Sequence, residues 1–383
     1  KSCDSTLSDS WTISVDPGAV GGTIADNDTV CMGGSGSAGQ SAAGTGLIVK
    51  WQSKVGSAGT WIDINNTTTS NPYYNVLDTT YLRAVYQSGV CPTANSKMVV
   101  VVPKPIPTAT IATTSTDDTI CAGNTADFEI TVSNVEVGQT FSVSYLEGST
   151  LKTTPTMTQV VGGVHTLTTG TLNTGTTIEL RSIKAKLTAA GLTCGQNLSG
   201  AITIEVLENP KATITSIDSR LCHGASANFV VNVSNVPTGD TWSLVYSQDG
   251  VDSTIKGSGS GSYSVSTSRT VTATSETITL KSITNTSTGD MCKTSLTDSR
   301  VIDVDATTVA GTIGADDTVC WGGSGTMKQT APGVGSIVGW QSRVKGSSAW
   351  VGINNTTTSL SFSSLTDTTD YRAVYKNGVC DVA

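Results

Sequence analysis

Apolar and polar residues alternate along most of this chain in short runs. In Thr80–Gln87, Leu82, Ala84 and Tyr86 fall on one face and Tyr81, Arg83 and Val85 on the other, the period of two that a β-strand imposes. Leu47–Ser53 and Thr60–Ile64 read as two more strands, joined by a hairpin loop over Lys54–Gly59 with its two glycines. Met98–Val102 is continuously apolar and reads as the last strand of its domain. Phe128–Val132, Phe141–Tyr145 and Thr177–Ile183 are predicted strands, and Phe229–Val233, Trp242–Tyr246 and Thr277–Ile283 repeat them. No stretch carries the 3.6-residue period of an amphipathic helix. The pattern predicts an all-β protein.

The pattern also recurs. Residues 1–94 align without a gap to residues 290–383 at an offset of 289, with about half of the positions identical. Trp51-Gln52-Ser53 meets Trp340-Gln341-Ser342, Trp61 meets Trp350, and Arg83-Ala84-Val85-Tyr86 meets Arg372-Ala373-Val374-Tyr375. Between these A segments lies a second type, B, present twice: Phe128, Val132-Ser133-Asn134-Val135 and Tyr145 meet Phe229, Val233-Ser234-Asn235-Val236 and Tyr246. The order is the end of a B, then A, B, B, A. The expected domains are 1–18, the C-terminal end of a truncated B; 19–104, A; 105–208, B; 209–305, B; and 306–383, an A lacking its last strand. Both ends read as internal cuts. The joints Pro103-Lys104-Pro105-Ile106-Pro107 and Asn209-Pro210-Lys211 are short and proline-rich, which favours extended geometry. Four domains end to end predict a rod roughly 150 Å long at ~3.3 Å per strand residue.

Nine cysteines add a covalent layer. None lies in a CxxC pair, which disfavours zinc and redox chemistry. Wide, regular spacing in a chain with 5% aromatic residues points to structural disulfides and an oxidising compartment. Repeat symmetry predicts one bridge per domain: Cys31–Cys91, Cys121–Cys194, Cys222–Cys292 and Cys320–Cys380, leaving Cys3 unpaired by truncation. Each would close a loop of about 60–75 residues, worth on the order of 4 kcal/mol.

Composition and charge narrow the function. A net charge of −8 repels phosphate backbones and disfavours nucleic-acid binding. The longest apolar run is far too short to span a bilayer. The two histidines, His165 and His223, occupy unrelated places and read as loop or surface residues rather than bases. Gly33-Gly34-Ser35-Gly36 and Gly322-Gly323-Ser324-Gly325 lack the lysine and helix of a phosphate site and read as loops. The acidic pairs Asp26 with Asp28, Asp117 with Asp118 and Asp316 with Asp317 bring calcium into view, but an ion that wants six to eight oxygens makes a solvated turn the favoured reading. No cofactor is expected. Trp51 and Trp340 read as core residues beside a disulfide. Trp61, Trp350 and Trp321 are candidate surface-binding aromatics.

Asp317-Thr318-Val319-Cys320, Gly335–Gln341, Leu365–Val374 and Gly378-Val379-Cys380 resemble the immunoglobulin-like repeats of giant Bacteroidota cell-surface adhesins. Thr241–Tyr246, Thr277–Ile283 and Cys292 resemble their second repeat type. The resemblance implies tandem Ig-like β-sandwich domains in an extended rod, export by type 9 secretion, an extracellular location on the bacterial surface, and cell adhesion or gliding motility. Asp-Thr-Val/Ile at Thr29, Thr119 and Thr318 resembles the O-glycosylation signal of the same bacteria. The expected role is that of a stalk, not an enzyme. A carbohydrate-binding module, contacting polysaccharide or solid surfaces by avidity, and a self-associating filament or layer are the alternatives.

Overall fold

The computed structural model describes residues 9–114, 118–187, 191–287 and 292–383. Cys3 and Asp117 lie outside them. Two compact units are present: Lys1–Asp118 with Thr125–Glu205, and Thr119–Asn124 with Val206–Ala383. All regular structure among the described residues is β.

The first A segment forms nine strands: β1 (Thr23–Ile24), β2 (Asp28–Cys31), β3 (Gly34–Ala42), β4 (Leu47–Val55), β5 (Ile62–Ile64), β6 (Ser70–Val76), β7 (Thr80–Gln87), β8 (Ala94–Asn95) and β9 (Val99–Lys104). One sheet has the order β1-β3-β6. The other runs β2-β9-β7-β4-β5, with β8 beside β7. All ladders are antiparallel except β2 with β9, which run parallel from Asp28 opposite Val101 to Cys31 opposite Lys104. Two sheets closing on one apolar layer make an Ig-like sandwich. The layer contains Ile48, Trp51, Leu82, Ala84, Tyr86, Val99 and Val101, so the face of β7 that carries Leu82, Ala84 and Tyr86 is the one turned to the core. Trp51 has no exposed surface, and its indole N–H donates to the Thr68 carbonyl at 2.9 Å. A buried indole keeps its full apolar contribution when its one donor is satisfied.

Strand β3 corrects the sequence reading. Gly34-Ser35-Gly36, expected as loop, is strand. A Cβ at Gly36 would run into the Tyr73 ring, and one at Gly325 into Phe362. Glycine is used here to let an aromatic ring lie across the strand, so its presence signals close packing. Only Gly33 (φ 79°) and Gly322 (φ 74°) mark the turn itself.

The first B segment repeats the architecture with a three-stranded sheet of Thr108–Thr113, Asp127–Ser133 and Val164–Thr168. The facing sheet contains Ala201–Leu207, Thr176–Lys186, Thr140–Glu147 and Thr150–Thr153 in that order. Phe128, Ile130, Phe141, Val143, Tyr145, Leu180 and Ile183 fill its core. His165, expected at the surface, is instead a buried strand residue. Its ring lies edge-on to Phe141, and its Nε2 is 3.0 Å from Gln159 Oε1. Burial lowers its pKa below the ordinary histidine value. The folded state therefore prefers neutral imidazole, and the stabilisation is complete above the unfolded pKa of about 6.5. It is lost as pH falls below that value toward the lowered folded pKa. Melting of the first unit followed from pH 8 to pH 5 should show this loss, and His165→Gln should flatten it.

In the second unit, the B segment pairs Lys211–Ile217, Ser226–Ser234 and Gly261–Thr270 in one sheet. The other has the order Arg220–Cys222, Ser299–Asp305, Ser275–Asn285, Thr241–Gln248, Val251–Ser258. Trp242, Leu244, Tyr246, Phe229 and Ile283 form its core. The second A segment contributes two three-stranded sheets. Its core of Ile337, Trp340, Leu360 and Tyr375 is smaller than its counterpart's, because among the described residues no strand takes the place of β9 with Val99 and Val101. Cys320 and Thr318, the counterparts of β2 residues, are consequently exposed and outside any strand.

Candidate functional site at the bridged joints

Strand direction decides where each cysteine lies. Because β2 runs parallel to β9, Cys31 ends level with Lys104, where the chain leaves the A segment. The Met32 amide donates to the Lys104 carbonyl at 2.8 Å and fixes that end. Strand β7 runs antiparallel to β9, with Thr80 opposite Val101. The Cys91 turn after β7 therefore lies at the opposite pole, where the chain arrives. There the Cys91 thiol is 3.5 Å from the Asp16 carbonyl. One cysteine marks the exit of a domain and the other its entrance. A disulfide needs Cα atoms within about 7 Å, so the two cannot meet across the length of a sandwich.

The bridges instead join the exit of one domain to the entrance of the next: Cys31–Cys194, Cys121–Cys292 and Cys222–Cys380, with Cα separations of 5.7, 5.4 and 5.0 Å. This overturns the expected pairs Cys31–Cys91, Cys121–Cys194, Cys222–Cys292 and Cys320–Cys380. Each bridge lies within one of the two units, since Thr119–Asn124 belongs to the second. Cys91 and Cys320 carry free thiols among the described residues, although both were expected in bridges. Cys194, Cys292 and Cys380 are buried. Maleimide applied to the native chain should therefore label Cys320 first and Cys91 more slowly. The six bridged cysteines should react only after reduction. Protection of Cys91 and Cys320 without reductant would contradict this assignment.

At the first joint Cys31 packs against the B core, and Gln196 Nε2 donates to the Pro107 carbonyl at 3.0 Å. The Lys104–Glu136 ion pair spans 2.8 Å, with the Glu136 side chain 68% exposed. Solvent screening leaves such a pair at most about 1 kcal/mol, so the disulfide dominates the joint.

The joint between the last B and A segments turns on Asp305. Its carbonyl accepts from the His223 amide at 2.8 Å. Its carboxylate accepts from the Val379 amide at 2.9 Å and lies 3.4 Å from Arg220 Nε. Asn377 Nδ2 donates to the Ala306 carbonyl at 2.7 Å. Gly378 has φ 51°, and a Cβ on it would overlap the Asp305 carboxylate, so only glycine permits the cradle. Asp16 and Gly89 repeat the arrangement beside Cys91. The sequence reading missed these residues. The signal was present, since Asp16 meets Asp305 and Gly89 meets Gly378 at the repeat offset.

The other candidates separate from the joints. Trp61 lies beneath the Arg83 guanidinium at 4.0 Å, and Trp350 beneath that of Arg372 at 4.1 Å. Trp321, next to Cys320, is 81% exposed. Thr29 and Thr119 are half-buried and Thr318 exposed. Asp28 accepts from the Tyr73 hydroxyl and from the Thr29 amide at 2.7 Å, so this carboxylate is already engaged. Burial and the Asp28 carboxylate together raise the Tyr73 pKa. Among the described residues no cluster of three metal-ligating side chains is found.

A family model described as a domain of unknown function (DUF8696) matches residues 20–105 and again 309–383, which correspond to the two A segments to within a few residues. No curated protein matches the chain. Among solved structures, the chain is similar to a Ca2+-stabilized adhesin that helps an Antarctic bacterium reach out and bind ice, with 15% identity over 96% of this chain and 97% of that one and a TM-score of 0.47. It is also similar to a tetra-tandem repeat from the extending region of a large adhesion protein, with 13% identity, 95% and 99% coverage and a TM-score of 0.29. The N-terminal four Ig domains of Dscam1 match at 14% identity, 95% and 96% coverage and a TM-score of 0.22.

Proposed function

We propose that this chain is a repeat segment of a large extracellular bacterial adhesin, acting as a disulfide-stabilised stalk in surface adhesion and gliding. The observation that carries this reading is the tying of successive sandwich domains, exit to entrance, by disulfides at their joints. Such bonds serve a part that must hold together as a series, and they persist in an oxidising, extracellular setting. Near-repetition of the A segment at an offset of 289 fits a spacer, in which length matters more than any one site. The resemblance to Bacteroidota surface repeats supplies export by type 9 secretion and the link to gliding. The proposed division remains 1–18, 19–104, 105–208, 209–305 and 306–383.

Antibody-coated beads raised against residues 19–104 test this on living cells. Beads that bind intact cells and travel along them, with attachment and gliding lost on gene deletion, are the expected result. Binding only after permeabilisation would overturn the surface assignment. Beads that bind but stay still would overturn the gliding part alone. A carbohydrate-binding repeat is the second reading, favoured by exposed Trp321. Retention on a polysaccharide column that disappears in Trp321→Ala would establish it.

A further inference from the structure

The three bridges overlap in sequence, spanning 163, 171 and 158 residues. The first ends at Cys194 and the third begins at Cys222, while the second straddles that interval. A force applied to the two chain ends follows the shortest covalent route. That route runs from Lys1 to Cys31, crosses to Cys194, follows the backbone to Cys222, and crosses to Cys380. We infer that the staggered bridges form a covalent bypass that carries tension past the domains, so that the chain stays short even when sandwiches unfold. The inference deepens the stalk reading and rests on it for its biological use. The mechanics belong to the chain alone.

The backbone left in the intact route is Lys1–Cys31, Cys194–Cys222 and Cys380–Ala383, about 61 residues, or roughly 210 Å at ~3.5 Å per residue. Without bridges all 383 residues bear the load, and the limit rises to roughly 1,300 Å. Bridges confined within domains would leave about 119 residues in the route, about twice as many, because every joint and every segment outside a loop would stay in it. The span from Cys194 to Cys222 is also well held. It contains Ala201–Leu207 and Lys211–Ile217, each paired in a sheet. A second route of the same kind follows Cys91 to Cys121, the bridge to Cys292, and on to Cys320. It ends in the two free thiols, at entrance and exit positions equivalent to bonded Cys380 and Cys31.

Single-molecule pulling of the full chain by terminal handles tests this. The intact chain should reach its limit near one-sixth of the length reached after dithiol reductant. Replacing Cys222 and Cys380 by serine forces the route back through the central bridge, leaving about 194 residues under load and lengthening the limit about threefold. Replacing Cys121 and Cys292 removes a bridge that the shortest route does not use, so the limit should not change. A chain that lengthens equally for both double variants, or an oxidised chain that extends as far as the reduced one, would overturn the inference. Since the purified chain is pulled, failure on living cells would count against the stalk reading and leave this result standing.

Discussion

Replacing Cys31 and Cys194 together by serine should cost the first unit about 5 kcal/mol, the loop-closure entropy of a bridge of that span. For a unit of this size that is a fall of roughly 10–20 °C in melting temperature. The effect is large because the bond closes a span of 163 residues in the unfolded chain. Calorimetry of the double variant beside the intact chain checks it. A shift under about 2 °C would show that the bridge does not restrain the unfolded chain. The paired replacement matters, since serine at Cys31 alone would free Cys194 for a wrong partner.

Trp51→Ala should cost about 3–5 kcal/mol, the range for deleting a fully buried large side chain. It removes the largest side chain of its core and leaves the Thr68 carbonyl without its donor. Trp340→Ala should fall in the same range, because Trp340 is equally buried and donates to the Thr357 carbonyl at 3.1 Å. Trp61→Ala should cost less, as the ring is only half-buried, outside the core and under Arg83, and a cation–π contact outside a core is worth about 0.5–1 kcal/mol. Denaturant titration of the three variants gives the comparison. Equal costs for Trp51→Ala and Trp61→Ala would contradict the assignment of Trp51 as core.

Much of this was legible in the residues. Alternation in Thr80–Gln87 identified it as a strand and sorted its residues into two faces, and the position of Trp51 between the cysteines identified it as core. Strand β3 was hidden because its sequence, glycine and serine throughout its first half, has no apolar period. Only the facing Tyr73 ring explains it. His165 was misplaced because a single polar residue inside a core leaves no periodic trace.

The disulfide pairing was hidden for a different reason. Repeat symmetry is satisfied by pairing within each domain and equally by pairing shifted by one domain. Spacing does not separate the two. What separates them is the parallel run of β2 beside β9, which carries the first cysteine to the exit pole. That contact joins strands far apart in sequence, and no local pattern announces it.

Proteolysis of the unreduced, thiol-blocked chain, followed by mass spectrometry of the linked peptides, tests the shifted pairing most directly. The expected peptide pairs carry Cys31 with Cys194, Cys121 with Cys292 and Cys222 with Cys380, with blocking reagent on Cys91 and Cys320. Recovery of Cys31 linked to Cys91, or of Cys222 linked to Cys292, would contradict the bridged joints and the load path built on them.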